Sequence, residues 1–445
     1  MMLKNFLKIS INIKKWIFLG TFGLTLTIYG IIELINKKYF SSRQIGFSIL
    51  LTGLGALIIY IALVKIVKYF IALINTGNIY GAIDPAKLGD PAYTNRVLMK
   101  GPKIVVIGGG TGLSTMLRGL KKYTHNITAI VTVADDGGGS GVLREDLGIL
   151  PPGDIRNCIL ALADTEPLLE ELLQYRFKDG RLKDQSFGNL FLAAMDGISN
   201  NFEEAVQKMS SVLAVTGKVI PVTLDNMILK ARLKNGKIIC GESNIPKAVL
   251  ECNSTIDEVF IEPKDAKAVK EALSAINNAD AVILGPGSIY TSIIPNLLVR
   301  EIRDEIRKTK ALRIYVSNIM TQPGESDNYG VKDHIKAINK HAHFNVIDCV
   351  LVNVGKISSD LEDLYLKDNS IVVNINEKEV TKLGIRVIKS DFVKVTKGHV
   401  RHDEDKLATV LMKTIMEKKL LYDKNKIIDY FYASQRLKEN KDNKG

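Results

Sequence analysis

The sequence predicts an α/β fold with a mostly parallel sheet, located in the larger C-terminal part of a 445-residue chain. Short β-branched runs recur after residue 102, and such runs are typical of strands buried in a parallel sheet. Glycine-rich turns and stretches of helical periodicity follow several of these runs. Repeated strand, turn and helix builds a parallel sheet with helices on both faces. An apolar N-terminal segment lies outside this pattern and predicts a second, smaller module.

The first strand and its turn are the clearest of these units. Lys103–Ile107 is predicted to be a buried strand, Gly108–Ser114 a glycine-rich turn, and the periodic stretch ending at Leu120 a helix. A second apolar run, Ile127–Val133, leads into the acidic glycine segment Asp135–Gly141. Because the carboxyl ends of parallel strands lie at one edge of a sheet, we expect the two turns to lie side by side, where such folds bind ligands.

The later segments predict an antiparallel excursion and then a return to the strand and helix order. Leu213–Ser243 contains two alternating runs joined by Asn235-Gly236, the dipeptide favoured in tight hairpins. Asp403–Leu437 is predicted to be the last helix. Further strands are predicted at Ala281–Leu284, Leu312–Val316 and Val346–Val354. The whole pattern predicts a Rossmann-like fold with a β-hairpin excursion.

The N-terminal segment contains two long apolar runs, at residues 16–35 and 45–64. A helix of about 20 residues matches the roughly 30 Å hydrocarbon layer of a bilayer. We therefore predict a transmembrane helical hairpin that anchors the chain in the cell membrane, with the large domain in the cytoplasm. A cleaved signal peptide is the competing interpretation, but it predicts no second span directly after the first. The predicted organisation is a hairpin at 1–75, a Gly/Pro-rich linker at 76–102, the α/β domain at 103–435 and a disordered tail at 436–445.

The charge distribution argues against a nucleic-acid partner. The formal net charge is +12, but residues 1–100 hold twelve Lys and Arg against three Asp and Glu, which leaves +3 for the rest. The basic excess therefore lies beside the apolar runs, as expected of membrane topology. The four cysteines are scattered without the paired spacing of a zinc site or a disulfide framework, which fits a reducing compartment.

The turn after the first predicted strand is a candidate phosphate-binding loop. Gly109, Gly110, Thr111 and Gly112 would bring backbone N–H groups and a helix N-terminus close to an anion. The turn does not match the dinucleotide pattern G-x-G-x-x-G, and it lacks the lysine of a P-loop. A plain tight turn is therefore the alternative interpretation.

Acidic and basic side chains follow the next turns. Asp135 and Asp136 could accept hydrogen bonds from ribose hydroxyls or hold Mg²⁺ beside a diphosphate, whereas helix capping would need at most one of them. Asp154 and Arg156 lie on a proline-led turn into a helix. Arg156 would bind a phosphate with two hydrogen bonds, although an internal pair with Asp154 explains it almost as well.

Three later turns add polar side chains and bare backbone. Asn189 ends the turn Ser186–Asn189, and Asn318 follows the strand Leu312–Val316. Gly285, Gly287 and Ser288 follow the strand Ala281–Leu284 directly, with a plain strand-to-helix connection as the alternative. The sequence contains no Ser-His-Asp order and no isolated general base. It therefore predicts binding, and it assigns no catalytic residue.

Taken in order, the motifs resemble those of the gluconeogenesis factor family (YvcK-like), which is related to 2-phospho-L-lactate transferase (CofD-like). The resemblance covers Lys103 to about Leu420. The motifs that carry it are IGGGTGLS, VTVADDGGGSG, LPPGDIRNCILALAD, SFGNLFLAAM, GPGSIYTSIIPNLLV and NIMTQPGESDNY. It implies a regulatory protein that binds a UDP-sugar, such as UDP-N-acetylglucosamine or UDP-glucose, and supports gluconeogenic growth and cell shape. It assigns no certain cofactor and no settled catalytic activity.

The same resemblance leaves a second function open. A related transferase moves a phosphoester group from a nucleoside diphosphate, and in this chain Asp135, Asp136 and Asp154 would then hold Mg²⁺. Against this, the chain has Pro152–Arg156 where a Pro-Asp-x-Asp run is expected, so a base replaces an acid. The expected partners are the nucleotide-sugar, the membrane, further copies of the chain and proteins of envelope synthesis.

Overall fold

A computed structural model describes residues 19–33, 46–64, 98–164 and 167–422. The chain divides into two compact units, Met1–Tyr93 and Thr94–Gly445.

The N-terminal unit contains two apolar helices, α1 (Leu19–Glu33) and α2 (Gly46–Val64). Glycines bring them together in antiparallel fashion: a Cβ on Gly55 would lie 2.7 Å from the carbonyl oxygen of Gly23. At the other end the Ser48 hydroxyl donates to the Glu33 carboxylate at 3.1 Å. By length and composition α2 alone could cross a membrane, whereas the described part of α1 is too short. The ends of the predicted span 16–35 lie outside the described residues, so the two-span hairpin stays a prediction.

The large unit contains twelve strands within its described residues. They are β1 (Ile104–Gly108), β2 (Ile127–Val131), β3 (Lys218–Pro221), β4 (Ile228–Leu233), β5 (Ile238–Cys240), β6 (Ile256–Glu262), β7 (Ala281–Leu284), β8 (Leu312–Val316), β9 (Cys349–Asn353), β10 (Arg386–Ser390), β11 (Val393–Thr396) and β12 (His399–His402). Seven of them form one sheet in the order β10-β9-β8-β7-β1-β2-β3, and every pair in it is parallel.

Helices flank this sheet. Their bounds are α3 (Gly110–Leu120), α4 (Gly138–Leu147), α5 (Gly153–Leu162), α6 (Pro167–Gln174), α7 (Phe187–Gly197), α8 (Phe202–Val212), α9 (Ile245–Glu251), α10 (Lys270–Asn277), α11 (Ile294–Leu298), α12 (Arg300–Lys308), α13 (Val331–Ala342), α14 (Ser359–Lys367), α15 (Glu377–Lys382) and α16 (Glu404–Tyr422). A 3₁₀ turn (Glu242–Asn244) precedes α9, and a π turn (Ile289–Ile293) precedes α11.

The predicted α/β fold with its Rossmann-like parallel sheet is confirmed. All five residues of β1 and all four of β7 are buried, as expected for central strands covered on both faces. The bounds of β7 and β8 are those predicted from the sequence. The predicted strand Val346–Val354 is shorter in the structure, where β9 covers only Cys349–Asn353.

The antiparallel excursion is larger than predicted. β4 and β5 pair across the turn at Asn235-Gly236, where Gly236 has a φ of 87° that favours glycine. β6 then pairs with the other side of β4 and makes a three-stranded sheet. The prediction of two runs in Leu213–Ser243 was wrong in one respect, because β3 lies in that segment and joins the parallel sheet instead. β3 has the same short apolar composition as a hairpin strand, so the sequence does not separate them.

The last elements end close to the carboxyl edge of the main sheet. β11 and β12 form an antiparallel ribbon that was not predicted from the sequence. α16 begins at Glu404, one residue after the predicted start, and packs on α3. Residues 423–437 of the predicted helix and the predicted tail lie outside the described residues.

Candidate functional site

The candidate site lies where the chain reverses its direction through the sheet. From β1 the chain moves to β2 on one side, whereas β7 lies on the other side of β1 and leads to β8, β9 and β10. Adjacent loops therefore diverge at the carboxyl ends of β1 and β7 and leave a crevice between them. Open α/β sheets bind ligands at this position.

A cavity of about 500 Å³, called here the main cavity, fills this crevice. Three of its walls come from the loops that follow β1, β7 and β8, and the fourth comes from α14 and β12. Its lining includes Gly109, Gly110, Thr111, Gly112, Gly287, Ser288, Asn318, Gln322, Tyr365, Asp368, Ser370, Arg401 and His402. Seven of the residues predicted from the sequence therefore share one cavity.

The glycine loop after β1 presents free backbone donors to this cavity. Gly109 caps α3 without a side-chain hydrogen bond, and the first turn of α3 holds no acidic residue. The N–H groups of Thr111 and Gly112 donate to no acceptor within the described part of the chain. Gly110 has a φ of 71°, a conformation that glycine adopts without strain. This geometry matches the anion sites found at helix N-termini.

The loops after β1 and β7 touch because Gly112 has no side chain. A Cβ at Gly112 would lie 2.6 Å from the carbonyl oxygen of Pro286. Gly285 makes the turn itself, with a φ of 74° and an N–H that donates to the Ile107 carbonyl at 3.0 Å, and it lies outside the lining of the cavity. Gly285 therefore shapes the loop rather than facing a ligand.

Asn318 holds the β7 loop from the next strand. Its amide nitrogen donates to the Gly287 carbonyl at 2.9 Å, and its amide oxygen accepts from the Gly287 N–H at 3.2 Å. Beside it the Gln322 amide donates to the Ser288 hydroxyl at 2.7 Å. The side chain of Asn318 thus fixes the position of the loop as well as lining the cavity.

The other predicted residues surround a second, smaller cavity of about 210 Å³, called here the minor cavity. Asp135, Asp154, Arg156 and Asn189 line it together with the start of α4. The two cavities share no lining residue. The single cleft predicted from the sequence is therefore divided in the structure.

Asp154 lies between the two cavities. One of its carboxylate oxygens lies 2.6 Å from the point that a Cβ on Gly109 would occupy. Burial and the nearby charge of Asp135 raise the pKa of Asp154 to about 6, while the Gly110 N–H and Arg156 oppose this increase. This carboxyl group therefore changes its charge just below neutral pH.

Asp136 lines neither cavity. Its carboxylate accepts from the Ser243 N–H at 2.9 Å and so holds the 3₁₀ turn of the antiparallel excursion. Asp135 instead accepts from the Gly137 N–H at 2.9 Å. Among the described residues, no group of three or more His, Cys, Asp or Glu side chains is arranged to hold a metal ion. The two neighbouring aspartates therefore accept hydrogen bonds from different parts of the chain.

The structure adds polar residues that were not predicted from the sequence. Tyr365, Arg401 and His402 reach the main cavity from α14 and β12, which lie far along the chain, and no local motif identifies them. Burial lowers the pKa of His402 to about 4, so its imidazole is neutral at physiological pH. Its Nε2 lies 3.2 Å from the Ser317 carbonyl oxygen.

A buried glutamate lies behind the main cavity. Glu325 is only 8% exposed and accepts from the Thr291 hydroxyl at 3.1 Å, while its second oxygen has no partner within the described residues. Burial raises the pKa of Glu325 to about 7. Burial and the charges of Asp135 and Glu325 raise the pKa of Glu242 to about 8. The only sequence signal for Glu325 was its place in the motif NIMTQPGESDNY.

Together these features define a class of protein: a doubly wound α/β domain with an anion-binding cavity at its topological switch point. The chain matches the family model described as 2-phospho-L-lactate transferase CofD over residues 104–393, and it belongs to this family. The resemblance found from the motifs is thereby confirmed.

Several relatives agree with this assignment. A protein of Clostridium acetobutylicum named "Putative gluconeogenesis factor" is 60% identical over 446 residues, which cover 99% of each chain. The "Gluconeogenesis factor" of Bacillus subtilis is 45% identical over 317 residues, which cover 71% of this chain and 99% of that one. A crystal structure of a Bacillus halodurans protein is similar with a TM-score of 0.68 at 44% identity, and covers 71% of this chain and 99% of that one.

Proposed function

We propose that the protein binds a UDP-sugar in the main cavity and acts as a regulatory protein for gluconeogenic growth and for the cell envelope. The observation that carries this proposal is the convergence of free N–H groups at Thr111 and Gly112 with the loop at Gly287-Ser288 in one cavity. Backbone donors at a helix N-terminus suit a diphosphate, because they carry partial positive charge without a side chain to displace.

The rest of the cavity suits the two ends of such a ligand. Arg401 is an exposed residue of the wall, and its guanidinium would add a full positive charge beside the diphosphate. Gln322, Asp368 and Ser370 supply polar groups for ribose or sugar hydroxyls. Tyr365 offers an aromatic ring to a base or a sugar. The cavity volume of about 500 Å³ lies within the range of small-molecule sites.

The names of the relatives support the biological half of the proposal. The Bacillus subtilis relative is named a gluconeogenesis factor, and this chain covers 99% of its length. We extend that role to this chain, with the UDP-sugar as the signal that links carbon supply to envelope synthesis. The test is growth of a deletion strain on gluconeogenic and glycolytic carbon sources, with complementation by the wild-type chain. Equal growth of the deletion strain on both carbon sources would remove the proposed role.

The family name also raises magnesium-dependent transfer of a phosphoester group as an alternative. The structure gives it less support than binding, because Asp136 is engaged by Ser243 and Arg156 lies beside Asp154 and Asp135. Release of a nucleoside monophosphate or diphosphate from a UDP-sugar, abolished by EDTA and by Asp154→Asn, would favour the transferase instead.

Arg401→Ala is expected to weaken UDP-sugar binding at least tenfold, since a charge-assisted hydrogen bond contributes roughly 1.5–3 kcal/mol and about 1.4 kcal/mol is a factor of ten. The measurement is titration calorimetry of the purified full-length chain with UDP-N-acetylglucosamine. Arg386→Ala is the matched control: Arg386 is an exposed arginine at the start of β10, at the opposite edge of the sheet, where it pairs with Glu417. Equal affinities of the two variants would contradict the assignment of the main cavity.

We also propose that the N-terminal unit anchors the protein in the membrane. The close packing of α1 and α2 through Gly23, Gly30 and Gly55 is typical of helices in bilayers, and their outward residues are largely apolar and exposed. The full-length chain is expected to stay with the membrane fraction after washing at high salt and alkaline pH, whereas a chain without residues 1–75 is released. Release of both chains by the same wash would contradict the anchor.

A further inference from the structure

The minor cavity is lined by charged and polar groups that do not line the main cavity. We propose that it binds a second ligand, a hydroxyl-bearing phosphate monoester, separately from the nucleotide. This inference rests on the proposed function only for the ligand of the main cavity. It is carried by free N–H donors in the lining of the minor cavity and by the unpartnered amide oxygen of Asn189 in the same lining.

The donor side is the start of α4. This ten-residue helix begins after Gly137 without a side-chain cap and without an acidic residue in its first turn. The N–H groups of Gly138, Gly139 and Ser140 donate to no acceptor in the described ranges, and all three residues line the cavity. Three such donors at a helix N-terminus match the oxygens of a phosphate group.

Arg156 completes the donor side. It is only 9% exposed, and its Nε has no acceptor among the described residues. Its two terminal nitrogens are held by the Ser186 hydroxyl and, at 2.7 Å, by the Asn157 side chain. The guanidinium is therefore fixed in place while its Nε–H donor stays unused. Arg176 adds a second positive charge to the same lining.

The acceptor side selects for hydroxyl groups. Asn189 is 3% exposed, lines the cavity, and carries an amide oxygen with no partner in the described part of the chain. A buried acceptor without a donor is costly, so a ligand that brings a hydroxyl gains affinity there. Asp135 and Asp154 are further acceptors in the same lining.

The balance of charges favours a monoester over inorganic phosphate. Two guanidinium groups and two carboxyl groups face the cavity, so its side chains have little net charge. The oxygens of inorganic phosphate that accept no hydrogen bond would lie near the carboxyl groups of Asp135 and Asp154, and charges of the same sign repel each other. A monoester instead offers its phosphate to the free N–H groups of α4 and its hydroxyls to Asn189 and Asp154. The volume of about 210 Å³ equals that of roughly seven waters, enough for a phosphate with a short polyol.

The test is calorimetry of the full-length chain with glycerol 3-phosphate, alone and in the presence of saturating UDP. We expect the two affinities to agree within threefold, because the cavities share no residue. Ethyl phosphate, which lacks the hydroxyls, and glycerol, which lacks the phosphate, are each expected to bind at least tenfold more weakly. Competition between UDP and glycerol 3-phosphate for one site, or equal binding of ethyl phosphate, would overturn the proposal.

The variant Asn189→Asp tests whether glycerol 3-phosphate binds in the minor cavity. The change is isosteric, it places a carboxylate in the first turn of α7, where helices accept one, and it adds a negative charge to the cavity. We expect at least tenfold weaker binding of glycerol 3-phosphate and no more than a twofold change for UDP. Asn201→Asp makes the same change at the start of α8, outside the cavity, and is expected to bind as wild type.

The outcomes separate this inference from the proposed function. If UDP fails to bind, whereas glycerol 3-phosphate binds and its binding is weakened by Asn189→Asp, the proposed function fails and the second site stands. If UDP binds and glycerol 3-phosphate gives no heat at millimolar concentration, the second site fails alone.

Arg156→Lys keeps the positive charge but loses the Nε–H donor. We expect it to weaken the binding of glycerol 3-phosphate at least fivefold. Unchanged affinity of this variant for glycerol 3-phosphate would also contradict the second site.

Discussion

Replacing Gly112 with alanine is expected to abolish detectable UDP-sugar binding. The added Cβ would lie 2.6 Å from the carbonyl oxygen of Pro286, which is backbone and has no rotamer to change. The loops after β1 and β7 must then separate, and the N–H groups of Thr111 and Gly112 lose their position relative to Gly287. Overpacking of this kind costs about 1–3 kcal/mol of stability. We expect at least a hundredfold loss of affinity by calorimetry, with a folded chain by circular dichroism.

Gly197→Ala is the matched control for this change. Gly197 ends α7, and no atom lies within 4 Å of the Cβ that alanine would add there. Its affinity for the UDP-sugar is expected to equal that of the wild type, and its stability to be no lower, since alanine favours a helix more than glycine does. If Gly112→Ala bound UDP-N-acetylglucosamine as tightly as Gly197→Ala, contact between the two loops would be irrelevant to binding.

Glu325→Gln is expected to stabilise the protein at pH 8 by roughly 1–3 kcal/mol, because it removes a carboxylate whose ionisation is unfavourable in the folded chain. A difference of one unit between the folded and unfolded pKa corresponds to about 1.4 kcal/mol of stability. Burial raises the pKa of Glu325 from 4.5 to about 7. The folded chain therefore holds this proton more tightly than the unfolded chain between these values, and stability falls as pH rises from about 4.5 to about 7. Above pH 7 the carboxylate is charged and buried. Glutamine keeps the shape without the charge, so this part of the pH dependence disappears.

The measurement is the free energy of unfolding of the full-length chain in detergent at pH 5 and pH 8. Wild type and Glu325→Gln are expected to differ little at pH 5 and most at pH 8. Glu362→Gln makes the same change at an exposed glutamate in the first turn of α14 and is the matched control. Glu242, with a pKa raised to about 8, leaves some dependence in every variant. A Glu325→Gln chain that is less stable than wild type at pH 8 would show that the ionised carboxylate is stabilising.

The sequence predicts those parts of the fold that depend on local chemistry. The predicted bounds of β7 and β8 match the structure because each strand is a short apolar run that is followed by a polar turn. The hairpin at Asn235-Gly236 was found because that dipeptide tolerates positive φ. β6 was missed because its partner β4 is separated from it in the chain by β5 and α9, and no local pattern encodes that pairing. β11 and β12 were missed although they are joined by a local two-residue turn, Lys397-Gly398, in which both residues have a positive φ.

The same limit applies to the site. The glycine loop at Gly109–Gly112 carries its chemistry in its own sequence and lies at the main cavity as predicted. Asp135 and Asp136 are adjacent in the chain, yet one lines the minor cavity and the other holds Ser243, since successive residues after a strand face different sides. Arg401 reaches the main cavity only through tertiary packing, from β12. Sequence patterns therefore identify the binding loops but not the walls that complete them.

The most direct test is an experimental structure of the full-length chain with UDP-N-acetylglucosamine. The diphosphate is expected within about 3 Å of the N–H groups of Thr111 and Gly112, with Arg401 beside it and the minor cavity left for its own ligand. A nucleotide bound elsewhere, for example in the cavity of about 610 Å³ lined by Lys234, Asn253 and Asn369, would contradict the assignment of the main cavity as the nucleotide site.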